Sequence, residues 1–245
     1  MSEIPFPEIR TRFLENPRSL LRTMPGIYPV DKPEGMSSHG AVARARKRLG
    51  LKRVGHGGTL DPLATGLLVL LAGNATRLFD ELQAFPKTYV ARLRWGVATD
   101  TQDCTGTVVS EAPVPVLDAD AFERLMAPFR GNILQTPPMH SALKRDGKPL
   151  YELARAGITV EREPRPVTVY ELSGRILSPT ESELTMSVSS GFYVRTLIHD
   201  MGTLLGCGAM MTALRRTAIG PFTLTDACPP DTLEPGAPLA DSSNI

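Results

Sequence analysis

The sequence predicts an α+β fold, because strand-like segments are followed by isolated helices without the strict alternation of a doubly wound sheet. Residues 87–95 alternate apolar and polar side chains, which is typical of a half-buried strand. Residues 66–73 form an apolar run of strand length. Between Val194 and Leu205, apolar side chains recur at offsets of three and four, as on one face of an amphipathic helix.

The N-terminal elements are expected in the following order. Residues 1–25 show little periodicity and are interpreted as an arm or a short helix before the domain. A strand at residues 26–30 enters a Pro/Gly turn. Ser37 and Ser38 can cap a helix that runs to about residue 49, where Gly50 is a plausible stop.

The central and C-terminal elements are predicted from shorter patterns. A helix is expected at residues 118–126, and strands at 167–177 and 183–190. Residues 135–157 are rich in Pro, Lys, Arg and His, which indicates an insertion with one short helical patch at 150–156. The sequence TDTQDCTG is interpreted as a turn held by hydrogen bonds from its side chains to its main chain.

Composition restricts the class of protein. The chain has 245 residues, of which 42% are hydrophobic and 22% charged, as in soluble globular proteins. No apolar run approaches the roughly 20 residues of a membrane span. The three cysteines are odd in number and lack CxxC spacing, which argues against a disulfide framework and a zinc site. We therefore expect a cytoplasmic protein that does not act at a membrane.

Positive charge is unevenly distributed along the chain. All 27 Lys and Arg residues lie at or before Arg216, whereas the charged side chains after it are all acidic. The densest basic cluster is Arg44, Arg46, Lys47, Arg48, Lys52 and Arg53. This cluster could contact phosphates, or it could be a solvated helix face, and the pattern alone leaves both readings open.

The segment GHGGTLDPLATG contains the strongest candidate for a catalytic residue, Asp61. Asp61 lies between Leu60 and Pro62 in a glycine-rich loop, and glycines permit a close approach of main chain to a ligand. An aspartate in such a setting could be a nucleophile or a general base. It could equally cap the turn that follows, which is a common use of Asp before Pro.

The whole segment VGHGGTLDPLATGLL, residues 54–68, resembles the signature of the TruB family of pseudouridine synthases. Further stretches resemble other family segments in the same order along the chain, and the similarity spans residues 26–222. These stretches are DKPEGMSSH at 31–39, KTYVARLRWGVATDTQDCTG at 87–106, QTPPMHSALKRDGKPLYELARAG at 135–157, and GFYVRTLIHDMGTLLGCGAMMTALRRTAIGPF at 191–222.

The resemblance implies a pseudouridine synthase fold, with a central mixed, largely antiparallel sheet flanked by helices. It implies an N-terminal arm at 1–25 and a catalytic domain at 26–222, with an RNA-gripping insertion at about 135–160. Residues 223–245 are expected to form a short, acidic, Pro-rich tail, in place of the PUA domain of many members. We expect removal of the tail beyond Pro229 to leave activity intact.

The implied activity is that of a tRNA pseudouridine-55 synthase, which isomerises a uridine of the T-loop after flipping it out. Asp61 would be the nucleophile, attacking either the ribose C1′ or C6 of the base. Arg195 would pair with Asp61, although it could also be a surface arginine at a helix start. Tyr89 would stack on the flipped base, although it could also be a core tyrosine.

The resemblance assigns supporting roles to three more residues. His56 would occupy the space that the extruded base vacates, or it is a satisfied loop residue. Leu214 would form an apolar wall of the uracil pocket, or it packs in the core. Lys32 would support the active-site loop. Position 57 is Gly where many members have Thr or Ser, and this difference is expected to change the stiffness of the loop slightly.

The expected partner is tRNA, bound through its T stem-loop, and we expect a monomer with no obligatory protein partner. The candidate RNA-binding residues are Arg44, Lys47, Arg48, Lys52, Arg53, Lys144, Arg145 and Lys148. Because the isomerisation is redox-neutral, neither a cofactor nor a metal is expected. Two alternatives remain, namely a tRNA-folding chaperone with secondary catalysis, and a carboxylate-based glycosidase or phosphatase that acts on a small substrate.

Overall fold

The computed structural model describes residues 5–22, 26–141, 143–145 and 147–234. The α-helices are α1 (Phe6–Glu15), α2 (Ser38–Leu49), α3 (Phe79–Ala84), α4 (Ala119–Met126), α5 (Leu150–Arg155) and α6 (Val194–Leu205). The strands are β1 (Ile27–Lys32), β2 (Val54–His56), β3 (Thr65–Ala72), β4 (Lys87–Trp95), β5 (Val97–Thr99), β6 (Val108–Glu111), β7 (Gly131–Gln135), β8 (Lys144–Arg145), β9 (Lys148–Pro149), β10 (Arg165–Ser178), β11 (Glu181–Val188), β12 (Ala209–Ile219) and β13 (Phe222–Thr223). Short 3-10 helices occupy Pro17–Leu20, Gly73–Leu78, Ala127–Phe129, Leu224–Asp226 and Pro230–Thr232.

The chain divides into two compact units. The first unit comprises Met1–Tyr89 together with Arg215–Ile245, and the second comprises Val90–Leu214.

The sheet of the first unit is mixed and largely antiparallel. Strand β3 pairs antiparallel with β1 on one side, from Ile27 opposite Leu71 to Lys32 opposite Gly66, and it also pairs antiparallel with β2. Strand β12 joins β3 in parallel, and β13 turns back antiparallel onto β12. Together with the helices, this arrangement confirms the predicted α+β class.

The N-terminal segment belongs to the core of the first unit. Helix α1 buries Ile9 and Phe13, and the 3-10 helix after it buries Leu20, all with exposures of at most 1%. These side chains pack with those of β3 in one apolar cluster. The described residues before 23 are therefore better called a packed helix than an arm.

The described part of the C-terminal segment is also packed within the first unit. The Asp31 amide donates to the Cys228 carbonyl at 2.9 Å, and Leu233 is only 2% exposed. Arg18 forms an ion pair with the buried carboxylate of Asp226. Because Leu233 lies beyond Pro229, we now expect truncation at Pro229 to lower stability.

Helix α2 begins and ends at the residues that the sequence indicated. The Ser37 hydroxyl accepts a hydrogen bond from the Gly40 amide at 3.0 Å, which makes Ser37 the N-cap. Gly50 ends the helix with a left-handed φ of 65°, a conformation that glycine adopts without penalty. Ser38 is thus the first helical residue, and its hydroxyl binds the main chain of Leu60 instead of capping the helix.

The second unit is built on antiparallel strands. Strand β10 pairs with β11 on one side and with β7 on the other. The indole of Trp95 packs edge-on against Phe122 and donates to the Ser182 hydroxyl at 2.9 Å. The turn at residues 100–106 is held by the side chain of Asp103, which accepts from the Thr105 amide at 3.0 Å, as predicted.

Candidate active site

Asp61 lies in the loop between β2 and β3, and its side chain is partly exposed. Its carbonyl accepts a hydrogen bond from the Ala64 amide at 3.0 Å, which closes a tight turn after it. The start of the loop is fixed to β3, because the Gly57 amide donates to the Val69 carbonyl at 2.9 Å. Asp61 is therefore only partly buried, and hydrogen bonds hold the main chain around it.

Both polar main-chain groups of Leu60 bind the hydroxyl of Ser38. This hydroxyl donates to the Leu60 carbonyl and accepts from the Leu60 amide, each at 2.9 Å. Ser38 is only 2% exposed, so that both bonds are shielded from water. The residue immediately before Asp61 is thereby attached to the first turn of α2.

The residue after Asp61 is attached to the segment that follows β1. The Pro62 carbonyl accepts from the Gly35 amide at 2.8 Å and from the Lys32 ammonium at 3.4 Å. The ammonium also donates to the carbonyls of Pro33 at 3.0 Å and Met36 at 2.7 Å. Lys32 thus links its own turn to the Asp61 loop.

Burial and neighbouring charges act on Lys32 in opposite directions. Its side chain is fully buried, and this burial lowers its pKa. The carboxylates of Asp61 and Glu34 favour the charged form, whereas the guanidinium of Arg216 disfavours it. The proximity of this cation and the Asp61 carboxylate is consistent with the supporting role that the sequence suggested for Lys32.

Arg216, which no local pattern in the sequence marks, holds the other side of the loop. Its guanidinium donates to the carbonyls of Leu67 at 2.7 Å and Gly58 at 3.0 Å, with a longer contact of 3.5 Å to Thr59. The side chain is 1% exposed. The position of Arg216 against the loop that contains Asp61 follows from the pairing of β12 with β3, which local patterns do not reveal.

His56 precedes the loop and is held neutral by its surroundings. Burial, then the charges of His39 and Arg216, lower its pKa to about 4. The rings of His56 and His39 meet edge-on, with centroids 5.5 Å apart. Among the residues that the structure describes, Nδ1 of His56 finds no hydrogen-bond partner.

Tyr89 lies on β4 in the same unit as Asp61 and is 9% exposed. Two residues earlier on this strand, Lys87 is 5% exposed and donates to the carbonyls of Gln83 and Phe85. Burial, with a smaller effect of Arg216, lowers the pKa of Lys87 to about 8. Lys32, Lys87 and Arg216 thus form a group of buried basic side chains in the first unit.

Arg195 and Leu214 belong to the second unit. Arg195 is the second residue of α6 and is 6% exposed. Its guanidinium donates to the carbonyls of His140 at 2.6 Å and Thr101 at 3.4 Å. It is therefore a buried arginine and not a surface residue at a helix start. Leu214, on β12, is half-buried.

The candidate RNA-binding residues occupy exposed positions where the structure describes them. The exposed members are Arg44, Lys47, Arg48, Lys52, Arg53 and Lys148. Arg44 forms an ion pair with Asp231 of the C-terminal segment. The side chains of Lys144 and Arg145 lie outside the described part of the structure.

Among the residues that the structure describes, no helix is long and apolar enough to cross a membrane.

Comparison with known proteins gives consistent similarities. A family model described as TruB family pseudouridylate synthase (N terminal domain) matches residues 46–194. A second, described as tRNA pseudouridylate synthase B C-terminal domain, matches residues 195–237. The protein named tRNA pseudouridine synthase B from Azoarcus sp. (strain BH72) is 49% identical over 213 residues, which are 87% of this chain and 71% of that protein. The protein of the same name from Pseudomonas aeruginosa (strain UCBPP-PA14) is 47% identical, over 89% of this chain and 71% of that protein.

Solved structures of a more distant group share the fold. One chain in the crystal structure of a Cbf5-Nop10-Gar1 complex matches with a TM-score of 0.64 and 31% identity, over 86% of this chain and 53% of that one. One in an H/ACA RNP bound to a substrate RNA containing 2'-deoxyuridine matches with a TM-score of 0.60 and 29% identity, over 82% and 50%. The present chain therefore spans about half the length of these solved chains.

Proposed function

Because the chain belongs to the TruB family of pseudouridylate synthases, which are RNA uridine isomerases, we propose that it converts the T-loop uridine at position 55 of tRNA to pseudouridine. Asp61 is the nucleophile in this proposal. The observation that carries it is the loop geometry: the partly exposed Asp61 stands on a main chain that is held at the residues directly before and after it.

The chemistry requires a carboxylate that is ionised and oriented before the substrate arrives. In one route, Asp61 attacks the ribose C1′ and displaces N1 of uracil, as in a retaining glycosidase. The freed uracil turns, its C5 bonds to C1′, and the carboxylate leaves. The hydrogen on C5 is then lost as a proton, and N1 gains one. In the other route, Asp61 adds to C6 of the base. The bond between C1′ and N1 then breaks, C5 bonds to C1′, and the carboxylate is released from C6. The C5 proton is lost and N1 gains one, as in the first route.

We assign the remaining roles from the family resemblance and from the position of each side chain. Tyr89 stacks on the flipped base, and the half-buried Leu214 forms an apolar wall of the uracil pocket. Arg195 is the cation that pairs with Asp61. His56, which is neutral near pH 7, occupies the space that the extruded base vacates. A neutral ring fits this role, because it can stack between bases without the cost of burying a charge.

The proposal predicts that Asp61→Asn abolishes isomerisation and leaves the affinity for tRNA nearly unchanged. Asn preserves the shape of the side chain but cannot act as the nucleophile. The matched control is Asp80→Asn, which removes a negative charge from an exposed position in the same unit. Conversion of unmodified tRNA would be measured by chemical mapping of pseudouridine. Turnover by Asp61→Asn within about tenfold of the parent would exclude Asp61 as the nucleophile.

We further propose that the chain acts as a cytoplasmic monomer without an obligatory protein partner. The relatives at 47–49% identity carry the name of a tRNA enzyme, whereas the Cbf5 structures at about 30% identity contain further proteins. The purified chain alone should therefore modify an isolated T stem-loop. A requirement for a cell extract, with no conversion by the pure protein, would contradict this part of the proposal.

A further inference from the structure

Arg216 is a buried cation that uses its donors on main-chain carbonyls. Its side chain is 1% exposed, and among the described residues no carboxylate lies within ion-pairing distance of it. Burying a guanidinium without a carboxylate partner costs free energy that a neutral apolar side chain would not. A merely space-filling role therefore does not explain an arginine at this position.

The acceptors of Arg216 lie on both sides of Asp61 in the chain. One group of carbonyls belongs to residues 58–59, before the aspartate, and the other is that of Leu67, after it. The planar guanidinium presents several N–H donors in a fixed fork, so that one side chain can hold two segments at a set separation. Arg216 thus bridges the two ends of the loop.

The main chain of Arg216 is also in close contact with β3. Gly66 has a φ of +99°, and a Cβ at this position would lie 2.3 Å from the Arg216 carbonyl oxygen. The two strands therefore approach more closely here than a side chain on residue 66 would allow. This contact fixes the origin of the Arg216 side chain relative to the loop that it holds.

Ser38 provides a second, independent attachment. Its hydroxyl satisfies both the amide and the carbonyl of Leu60, each at 2.9 Å and away from solvent. The neighbouring Ser37 already caps α2, so Ser38 is not needed for the cap. A helix of 12 residues thereby anchors the residue that precedes Asp61.

We propose that Arg216 and Ser38 are positioning residues for the carboxylate of Asp61. This inference rests on the proposed function, in which Asp61 is the nucleophile. Neither side chain is required to touch the substrate, since both act through the main chain. A displacement of a catalytic group by about 1 Å can reduce a rate about a hundredfold, so loosening either attachment should slow the chemical step.

The test compares Arg216→Lys and Ser38→Ala with Arg215→Lys as the matched control. Arg215 is the neighbouring arginine on β12, is partly exposed and pairs with Asp31. Lysine keeps the charge of Arg216 but lacks the rigid, planar fork of donors that sets the separation of the two segments. We expect the single-turnover rate on tRNA to fall at least tenfold in both test variants, with the Kd for tRNA within about twofold of the parent. The Arg215→Lys rate should stay within about twofold.

Amide hydrogen exchange without RNA provides a readout that does not depend on catalysis. In both test variants, amides of residues 59–64 should exchange faster, while those of β10 and β11 keep their parental rates. If Arg216→Lys fails to fold, Ser38→Ala decides the result, because it removes a single oxygen atom. A parental rate, a slower rate without faster loop exchange, or a uniform rise in exchange would each overturn the positioning role. An active Asp61→Asn variant would overturn the proposed function, and the exchange result would remain interpretable.

Discussion

Asp61 is partly exposed, and the main chain on either side of it is held by hydrogen bonds. The sequence indicated the aspartate itself, because the glycine-rich segment around it carries a family signature. It did not indicate Ser38 or Arg216 as its supports. These residues are 23 and 155 positions away from Asp61 in the sequence, and local patterns do not encode contacts at such separations. Propensity rules fit Ser38 equally well as a helix cap, the role that Ser37 fulfils.

His56 should make the protein sensitive to acid. Its pKa in the folded state is about 4, below the ordinary value of 6.5. The unfolded chain therefore binds more protons between these values, and the free energy of unfolding falls as the pH drops from about 6.5 to 4. In His56→Gln, we expect this loss in the free energy of unfolding to be smaller by on the order of 2 kcal/mol.

The measurement is urea denaturation of the parent and of His56→Gln at several pH values from 4 to 7. His39→Gln serves as the comparison, since burial is the largest cause of the low pKa of His56 and the charge of His39 is a smaller one. This variant should keep most of the acid sensitivity. If the free energy of unfolding falls with pH equally steeply in the parent and in His56→Gln, other groups cause the loss of stability.

Replacing Arg195 should affect catalysis more than folding. Arg195→Met leaves the carbonyls of His140 and Thr101 without this donor, which costs about 1–3 kcal/mol of stability. If Arg195 pairs with Asp61, the turnover should fall by about a hundredfold or more at temperatures where the variant is folded. Arg195→Lys should recover part of the rate. Turnover of Arg195→Met close to that of the parent would assign the residue to structure alone.

Elements with a local sequence pattern were predicted well. Elements that depend on contacts with residues distant in the sequence were not. The alternation in β4 and the caps of α2 are local features, and both elements form where expected. Strand β12 was not predicted, because adjacent Arg215 and Arg216 do not resemble an apolar strand. Arg216 is nevertheless buried in this strand, since carbonyls from β3 and the loop before it satisfy the guanidinium.

Gly57 shows how one element can restrict another. The sequence suggested only a small change in loop stiffness at this position. In the structure, a Cβ on residue 57 would lie 1.9 Å from Cδ2 of Leu82 in α3. Leu82 is itself fully buried, so it cannot move into solvent. The absence of a side chain at position 57 and the presence of leucine at position 82 are therefore coupled.

A double-mutant cycle tests this coupling. Gly57→Thr should destabilise the protein by about 1–3 kcal/mol through overpacking. Leu82→Ala should cost about 2–5 kcal/mol, because it leaves a cavity. In the double variant, the added side chain occupies part of that cavity, so the total loss measured by urea denaturation should be smaller than the sum. Strictly additive losses would show that the loop and α3 do not compete for the same space.

At the scale of the whole molecule, the densest cluster of positive charge along the sequence lies on α2 and the segment that follows it. Arg44 is neutralised in part by Asp231, but Lys47, Arg48 and Lys52 are exposed. The sequence left open whether this cluster contacts RNA or is only solvated. The structure is compatible with both, since an exposed cation on a helix serves either purpose. The salt dependence of binding distinguishes them, because each phosphate contact releases counterions.

If the cluster contacts phosphates, the triple substitution of Lys47, Arg48 and Lys52 by Ala should reduce the salt dependence of tRNA binding. Each contact contributes about 0.9 to the slope of log K against log salt on a duplex nucleic acid, so the slope should become shallower by about 2 to 3. The single-turnover rate at saturating tRNA should hardly change, because these side chains are proposed to contribute to binding and not to the chemical step. The control is a triple substitution of other exposed cations, Arg12, Arg124 and Arg175. Equal slopes for the two triple variants would identify the α2 cluster as a solvated face and place the RNA contacts elsewhere.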